Sequence, residues 1–567
     1  MAGLLNGLTG AVGGKALDVG LGRRRRRLWG ELRAQAADPA QAQAETLAEI
    51  LALNAGTTFG REHGLGSVRS PADFAKAVPV NDYESLRPYV ERQESTGEPA
   101  LTAERPLLYA TTSGTTGTPK FLPVTPTGLR RQAKAQGLFS SMLHASTGAL
   151  SGRILGLAGP AVEGYRPGGT PYGSASGLIL ESLPALIRRR YVIPPAVLHI
   201  ADHAARYYVT AALALAEGDL TVMATANPST LLRVRQVIVE RWSDLLDDLG
   251  AGRLRGAGDI GPQWPREVTA ALRPGSRRAA QLRALGAPAD LTFGELWPRL
   301  AAVTTWTGGS CGLAVAGLRD LLAPTTAVVE LGYLATEVRG TVAVDTTSGN
   351  CVPTLGDNFF EFVDRGARDG EGEGGHVGHG PFLTLAELEQ GRQYYVYVTT
   401  FDGLYRYDMN DVVEVTGWFG RAPCLAFVQK GKGFTNITGE KLHESQVIEA
   451  VVAAGQGRAP GGGFFLMLAD TATATYRLYV EGPVHGHDLD GVARAVDEAL
   501  ARLNVEYRSK RASGRLQPVV ARELRTGTGE AYRSHCVANG QRDAQFKVMP
   551  LQRSEDFTFD LAPAVVA

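Results

Sequence analysis

Residues 110–125 read ATTSGTTGTPKFLPVT, a stretch crowded with small hydroxyl-bearing residues and two glycines. Glycine lets backbone N–H groups converge, Ser113, Thr115 and Thr116 add hydroxyl donors, and Lys120 adds a positive charge. That combination is an anion cradle, with phosphate the anion expected. It is not a Walker A loop: Gly114 and Gly117 are separated by two residues rather than four, and Lys120 precedes Phe121 rather than Ser or Thr. A Ser/Thr/Gly-rich turn between strands is the competing reading of the loop alone.

Three later segments add complementary chemistry. ELGYLATE, 330–337, gathers Gly332, Tyr333, Thr336 and Glu337 on one turn, a set able to stack a purine, bind a phosphate oxygen and hold Mg2+. GLYRYDMNDVVEVTG, 403–417, places Asp411 at an expected strand start, where it can accept both hydroxyls of a ribose. QFKVMPL near the carboxyl end offers Lys547 as a late, mobile cation. Taken singly, Glu337 and Asp411 read as structural loop carboxylates and Lys547 as a solvated lysine. Their order along the chain is what points to nucleotide chemistry.

Elements must position these residues. The loop follows the apolar run LLYA and precedes LRRQAKAQGLFSSML, so strand, loop and helix are expected in that order. Asn227 and Pro228 resemble an N-cap and first helical residue, opening one helix through STLLRVRQVIVERWSDLLDDL. LAAVTTW, GTVAV, NFFEFV and YYVYVTT alternate as strands. From 461 the pattern becomes a hairpin (GGGFFLML, YRLYVEG), a helix (DLDGVARAVDEALARLN), a strand (LQPVVAREL) and a helix (EAYRSHCVAN). The expectation is an α/β protein with a large multi-sheet N-terminal domain and a small mobile α+β C-terminal cap. Its divisions would be a partly helical or disordered extension at 1–46, a main domain at 47–430 and a cap at 431–567.

At 567 residues the chain is too long for a single core. Lys plus Arg total 58 and Asp plus Glu 58, so no global field favours nucleic acid. No run of 18 apolar residues suggests a membrane span, and the Arg23–Arg27 run follows rather than precedes the apolar start, the reverse of a secretory signal. Helical spacing of Leu28, Leu32, Leu47, Ile50 and Leu51 makes that arginine run a solvated helix face. Cys311, Cys351, Cys424 and Cys536 lack metal spacing and read as reduced thiols of a cytoplasmic protein. His376 and His379 lie in a glycine-rich loop without further ligands.

Two motifs are decoys. GAGDIG, 256–261, follows a helical run and precedes prolines, where a dinucleotide loop needs a strand before it and a helix after. GSASG has Ala175 where a nucleophile elbow needs serine.

With these residues in place the chain resembles the adenylate-forming enzymes, and specifically the auxin-responsive family of acyl-acid amido synthetases. TSGTTGTPKFLPVT is similar to that family's phosphate loop, GYLATE to its second nucleotide motif and TTFDGLYRYDMNDVVEVTGW to its third. TANPSTLL, LWPRLAAVTTWTGG and NFFEFV resemble the intervening sequence, and the likeness runs from about Leu47 to Leu551. The resemblance implies ATP and Mg2+ as cofactors and a small carboxylic acid with an amine or amino acid as substrates, in a monomer or weak dimer. It implies that Ser113, Gly114, Thr115, Thr116, Gly117 and Lys120 hold the phosphates, Tyr333 and Thr336 contact adenine and phosphate, and Asp411 binds ribose. Glu337 would hold Mg2+ or the reacting carboxylate region, Lys430 would bind the nucleotide in place of the arginine that often follows the ribose Asp in the wider superfamily, Lys432 would be the hinge and Lys547 the adenylation cation. One departure stands out: Glu530 occupies the place where the wider superfamily has its catalytic lysine after a glycine. An acyl-CoA or carrier-protein ligase shares the same first half-reaction and is the alternative. The acid pocket is expected along 129–150, 172–184 and the 228–240 helix.

Overall fold

The computed structural model describes residue 20 and residues 22–566, apart from 113–118, 184, 256–265, 310, 371–380, 432–433, 439, 441, 456–462, 483–488, 540 and 542–545. Ser113, Gly114, Thr115, Thr116 and Gly117, the hinge candidate Lys432, His376, His379 and the GAGDIG stretch lie outside the described residues.

Short apolar runs with little polar alternation build a four-stranded parallel sheet, in the order Arg153–Leu157, Leu220–Thr225, Ala302–Thr305 and Ala327–Glu330. Strands buried on both faces read this way because helices cover them. Here the helices His203–Ala216, Ser229–Glu240 and Trp242–Ala251 share a core with Leu155, Met223 and Val303 of the strands. The single helix expected over 229–249 is two: Arg241 ends the first with a non-helical backbone, and Trp242 begins the second. Pro228 rather than Asn227 caps the first, while Asn227 Oδ1 accepts from the Ser229 N–H at 3.0 Å.

The anion loop departs from the expected strand–loop–helix order. Leu108–Thr112 pairs antiparallel with Lys120–Val124, Thr112 opposite Lys120, so the loop joins two strands of a hairpin. The Pro126–Thr147 helix comes only afterwards, capped by Thr125, whose side chain accepts from the Gly128 N–H. The reason is visible in FLPV: it is apolar enough to be a strand against LYATT before Pro126 starts the helix.

A second large sheet is antiparallel, ordered Asn358–Asp364, Gln393–Thr400, Tyr407–Phe419 and Ala422–Lys430. It packs against the amino-terminal helices: Leu28, Leu32, Ala36, Leu47 and Ile50 share one core with Phe360, Val396 and Leu425. Arg23 to Arg27 are exposed, although Arg24 reaches the Pro126–Thr147 helix, where it donates to the Ala133 carbonyl at 3.3 Å. The cap sheet runs Val520–Leu524, Thr475–Glu481, Phe465–Asp470 and Leu551–Arg553. Each of its faces has its own core, one around Val447, Leu478 and Val496, the other around Leu466, Tyr532 and Phe546.

No helix among the described residues is long and apolar enough to cross a membrane.

Candidate functional site

The carboxyl ends of the parallel strands open into a cavity of about 970 Å³, walled there by Thr225, Trp306, Glu330 and Gly332. Ligands of open α/β sheets collect at that edge, because the strand ends fan into loops and helix starts. The antiparallel sheet contributes Asp411, Phe427 and Lys430 to the same cavity, and the cap contributes Lys547.

Asp411 is the most constrained polar group of this wall. It is 2% exposed. It lies inside the Tyr407–Phe419 strand, not at its start as the sequence suggested, just after Asn410 turns left-handed at φ 49°. Its register partner across the ladder is Lys430, and the ammonium lies 2.5 Å from Oδ1. Oδ2 accepts from the Tyr333 hydroxyl at 2.7 Å. Burial, then the Asp411 charge, push the Tyr333 phenol well above its ordinary range, so it remains a donor. The Lys430 side chain is 59% exposed, so the downward pull of burial is outweighed by Asp411 and then Glu337, which hold the ammonium above its usual value.

Gly332 makes the approach of Tyr333 possible. Its φ is 89°, and a Cβ there would meet Thr341 Oγ1 at 2.7 Å. That hydroxyl accepts from the Tyr333 N–H at 2.7 Å. Glu330 fastens the preceding turn, accepting from the N–H groups of Thr307 at 2.6 Å and Gly332 at 2.8 Å.

Lys547 enters from the cap with its ammonium 4.0 Å from the Trp306 ring centroid and 5.4 Å from that of Phe427. Phe427 in turn stacks on Tyr333, 6.2 Å between centroids and 4° from parallel. Trp306 and Phe427 were not singled out from the sequence; only the placement of TTWTGG after a strand hinted at the first. Glu444, opening the cap helix Glu444–Ala454, is a further neighbour of Lys547: burial pushes its carboxyl up to about 7, with Lys547 opposing.

Among the described residues, side-chain bonds join the cap to the main domain at several points, including Gln429 to Ser445. Asn227 Nδ2 donates to the Phe546 carbonyl, Arg533 Nη2 donates to the Tyr207 hydroxyl at 2.5 Å, and Glu530 lies 3.6 Å from Arg233. Glu530 therefore serves the cap contact.

The other expected residues fall around this centre. Thr336 lines the cavity. Glu337 lines a small adjoining cavity with Arg339, Asp357 and Asp402, and its charge acts on Lys430 and Tyr333. Lys120 leaves its hairpin to donate to the Tyr407 hydroxyl at 3.3 Å. Among the described residues no set of three His, Cys, Asp or Glu side chains is placed to hold a metal. Mg2+ is commonly held through one or two carboxylates plus substrate phosphates, so lone Glu337 suits an ion that arrives with a nucleotide. Of the three segments expected along the acid pocket, 129–150 and 172–184 line it through Gln136, Phe139, Ser176 and Ile179. The Ser229–Glu240 helix gives only Thr230, because Leu231, Val234, Val237 and Ile238 face the helical core.

The profile of the GH3 family N-terminal domain matches residues 29–326, more than half of the chain. The chain belongs to the GH3 family. Its central and C-terminal domain profiles match 351–430 and 445–556 of this GH3 chain. Indole-3-acetic acid-amido synthetase GH3.8 of Oryza sativa subsp. indica is 26% identical over 538 residues, covering 89% of this chain and 87% of its own. Indole-3-acetic acid-amido synthetase GH3.15 of Arabidopsis thaliana is 26% identical over 443 residues, covering 73% and 72%. The structure of AtGH3.15 acyl acid amido synthetase in complex with 2,4-DB aligns with a TM-score of 0.82 at 21% identity over 96% of each chain. A 2-hydroxyisobutyryl-CoA ligase in the postadenylation state aligns at 0.52 and 11% identity, covering 91% of this chain and 90% of its own. The GH3 fold here is thus the mixed α/β fold of adenylate-forming enzymes.

Proposed function

We propose that this GH3 protein is an ATP-dependent acyl acid amido synthetase that joins a small carboxylic acid to an amine or amino acid. One observation carries the reading: the cap delivers the Lys547 ammonium into the cavity walled by Asp411, Tyr333 and Thr336. In the first half-reaction the acid's carboxylate attacks the α-phosphorus of ATP, giving an acyl adenylate and pyrophosphate. Negative charge grows on the phosphoryl oxygens, and a preorganised cation stabilises it at little reorganisation cost. Lys547 supplies that charge, helped by the 113–117 loop and Lys120. Asp411 accepts the ribose hydroxyls in exchange for Tyr333 and Lys430, Tyr333 and Phe427 flank the base, and Thr336 binds phosphate. Glu337 would hold Mg2+, which when bound neutralises phosphate charge.

In the second half-reaction an amine attacks the acyl carbon, and amide and AMP leave. For that the cap, divided from the main domain near residue 431, turns about Lys432 and withdraws Lys547, opening a path for the amine. All four cysteines are unpaired, which suits a reducing cytoplasm, and a monomer or weak dimer suffices because one chain supplies the whole site.

Pyrophosphate release tested over a panel of acids, followed by discharge with amino acids or with CoA, tests the reading. Acid-dependent release with amide formation is expected. Discharge by CoA alone would make the protein an acyl-CoA ligase, and no acid-dependent release would overturn adenylation altogether.

A further inference from the structure

Arg339 follows Glu337 by two residues, and nothing in the scheme above uses it. It is 6% exposed. Nη1 donates to Gln136 Oε1 at 2.8 Å, while Nε and Nη2 are shielded from solvent and have no hydrogen-bond partner. Among the described residues no carboxylate pairs with it, and Asp357 acts on it only from a distance. Burial pulls the guanidinium down to about 10, still charged at neutral pH. A buried cation with unused donors is costly unless an acceptor arrives to meet it.

The cavity is where that acceptor can arrive. Arg339, Gln136 and Phe139 all line it, with the guanidinium carbon 5.8 Å from the Phe139 ring centroid. Gln136 and Phe139 belong to the Pro126–Thr147 helix and Arg339 lies just before the Thr341–Ala343 strand, whereas Lys547 lies over Trp306 beyond the Ala302–Thr305 strand. An acid seated with its reacting carboxylate at Lys547 has the Arg339 wall available for its remaining atoms. An apolar acid would leave the two nitrogens as they are, whereas a carboxylate matches the guanidinium fork in both geometry and charge.

Resting on the amido synthetase reading, we propose that Arg339, steadied by Gln136, recognises a second carboxylate on the acyl acid, so that the protein's substrates are dicarboxylic acids. The competing occupant is water in the adjoining cavity of about 20 Å³, which Arg339 and Asp357 both line.

Matched acid pairs decide between them: terephthalate against para-toluate, and adipate against hexanoate. Two readouts are taken, pyrophosphate release with ATP and the thermal shift produced by the acid alone. The wild-type protein should favour the dicarboxylate of each pair by about 10- to 100-fold in kcat/KM, the worth of a hydrogen bond made to a charged group. Arg339→Met should abolish or reverse that preference while para-toluate is still adenylated. If Arg339→Met does not fold, Gln136→Leu, which leaves the guanidinium unsupported, should shrink the same ratio. Equal or better use of the monocarboxylates by the wild-type protein overturns the proposal, and so does a preference that survives Arg339→Met. If no acid yields pyrophosphate, the amido synthetase reading fails, and the thermal shifts still decide the recognition: selective stabilisation by the dicarboxylates supports it, and equal shifts overturn it.

Discussion

Asp411 and Arg339 line the same cavity and are both almost wholly buried, yet they are furnished in opposite ways. Asp411 Oδ2 accepts from the Tyr333 hydroxyl, and Oδ1, though outside hydrogen-bond geometry, has the Lys430 counter-charge 2.5 Å away. Arg339 has one acceptor, Gln136, and two nitrogens without any. A buried charge with its counter-charge beside it is a preorganised site, ready for a ligand that arrives in every turnover. A buried charge left half met is a site completed by its ligand. The first suits the nucleotide, shared by every reaction of this kind; the second suits the variable substrate.

Lys547→Ala attacks the Asp411 side of the comparison hardest. Pyrophosphate formation should slow by about 10²- to 10⁴-fold, while aminolysis of supplied acyl adenylate should slow far less. Single-turnover assays of each half-reaction read this, and equal losses in both would make Lys547 structural. Asp411→Ala comes next: the KM for ATP should rise about 10- to 100-fold, as expected on losing hydrogen bonds to a charged acceptor. An unchanged KM would remove Asp411 from the ribose site.

Gly332→Ala tests how far Tyr333 depends on its turn. The forced left-handed backbone and the clash with Thr341 should cost about 1 to 3 kcal/mol, seen as a lower midpoint of thermal unfolding together with weaker ATP binding. A variant with wild-type stability would show that the turn relaxes freely.

Behind Arg339 the smallest effect is one of pH. Burial pushes Asp402 up to about 6, although the Thr125 N–H and hydroxyl donate to it. Because the folded state binds this proton more tightly than the unfolded chain, its stabilisation is full below the unfolded pKa of about 4. It is lost as the pH rises through about 6. Asp402→Asn should therefore flatten the fall in stability between those two values, measured by denaturant titration at each pH. An unchanged slope would place the titration elsewhere.

The sequence carried this comparison unevenly. The turn of ELGYLATE and the acid of YDMND are local patterns, so Tyr333, Thr336 and Asp411 could be singled out before any fold was known, and they do line one cavity. Long-range register was not readable. That Lys430 faces Asp411 depends on how Tyr407–Phe419 pairs with Ala422–Lys430, including two register shifts along the ladder. Trp306 and Phe427 come from different sheets, and only the folded chain brings them under Lys547. Arg339 carries no local signal, since its burial depends on Gln136 and Phe139 from a distant helix. The helix break was equally hidden: nothing in IVERWSD announces the non-helical backbone at Arg241.

One hydrogen bond of the cap contact has a mechanical meaning. Asn227 grips the carbonyl of Phe546, the residue just before Lys547, and the Phe546 ring is buried within the cap. The lysine is thereby swung from a fixed pivot, and its search for the reacting phosphorus is confined to the torsions of its own side chain. A long flexible arm anchored at its shoulder gives reach without wandering. Because the anchor is a neutral amide rather than a buried ion pair, releasing it would leave no stranded charge, so a cap that turns as proposed would take and let go the same grip at little cost.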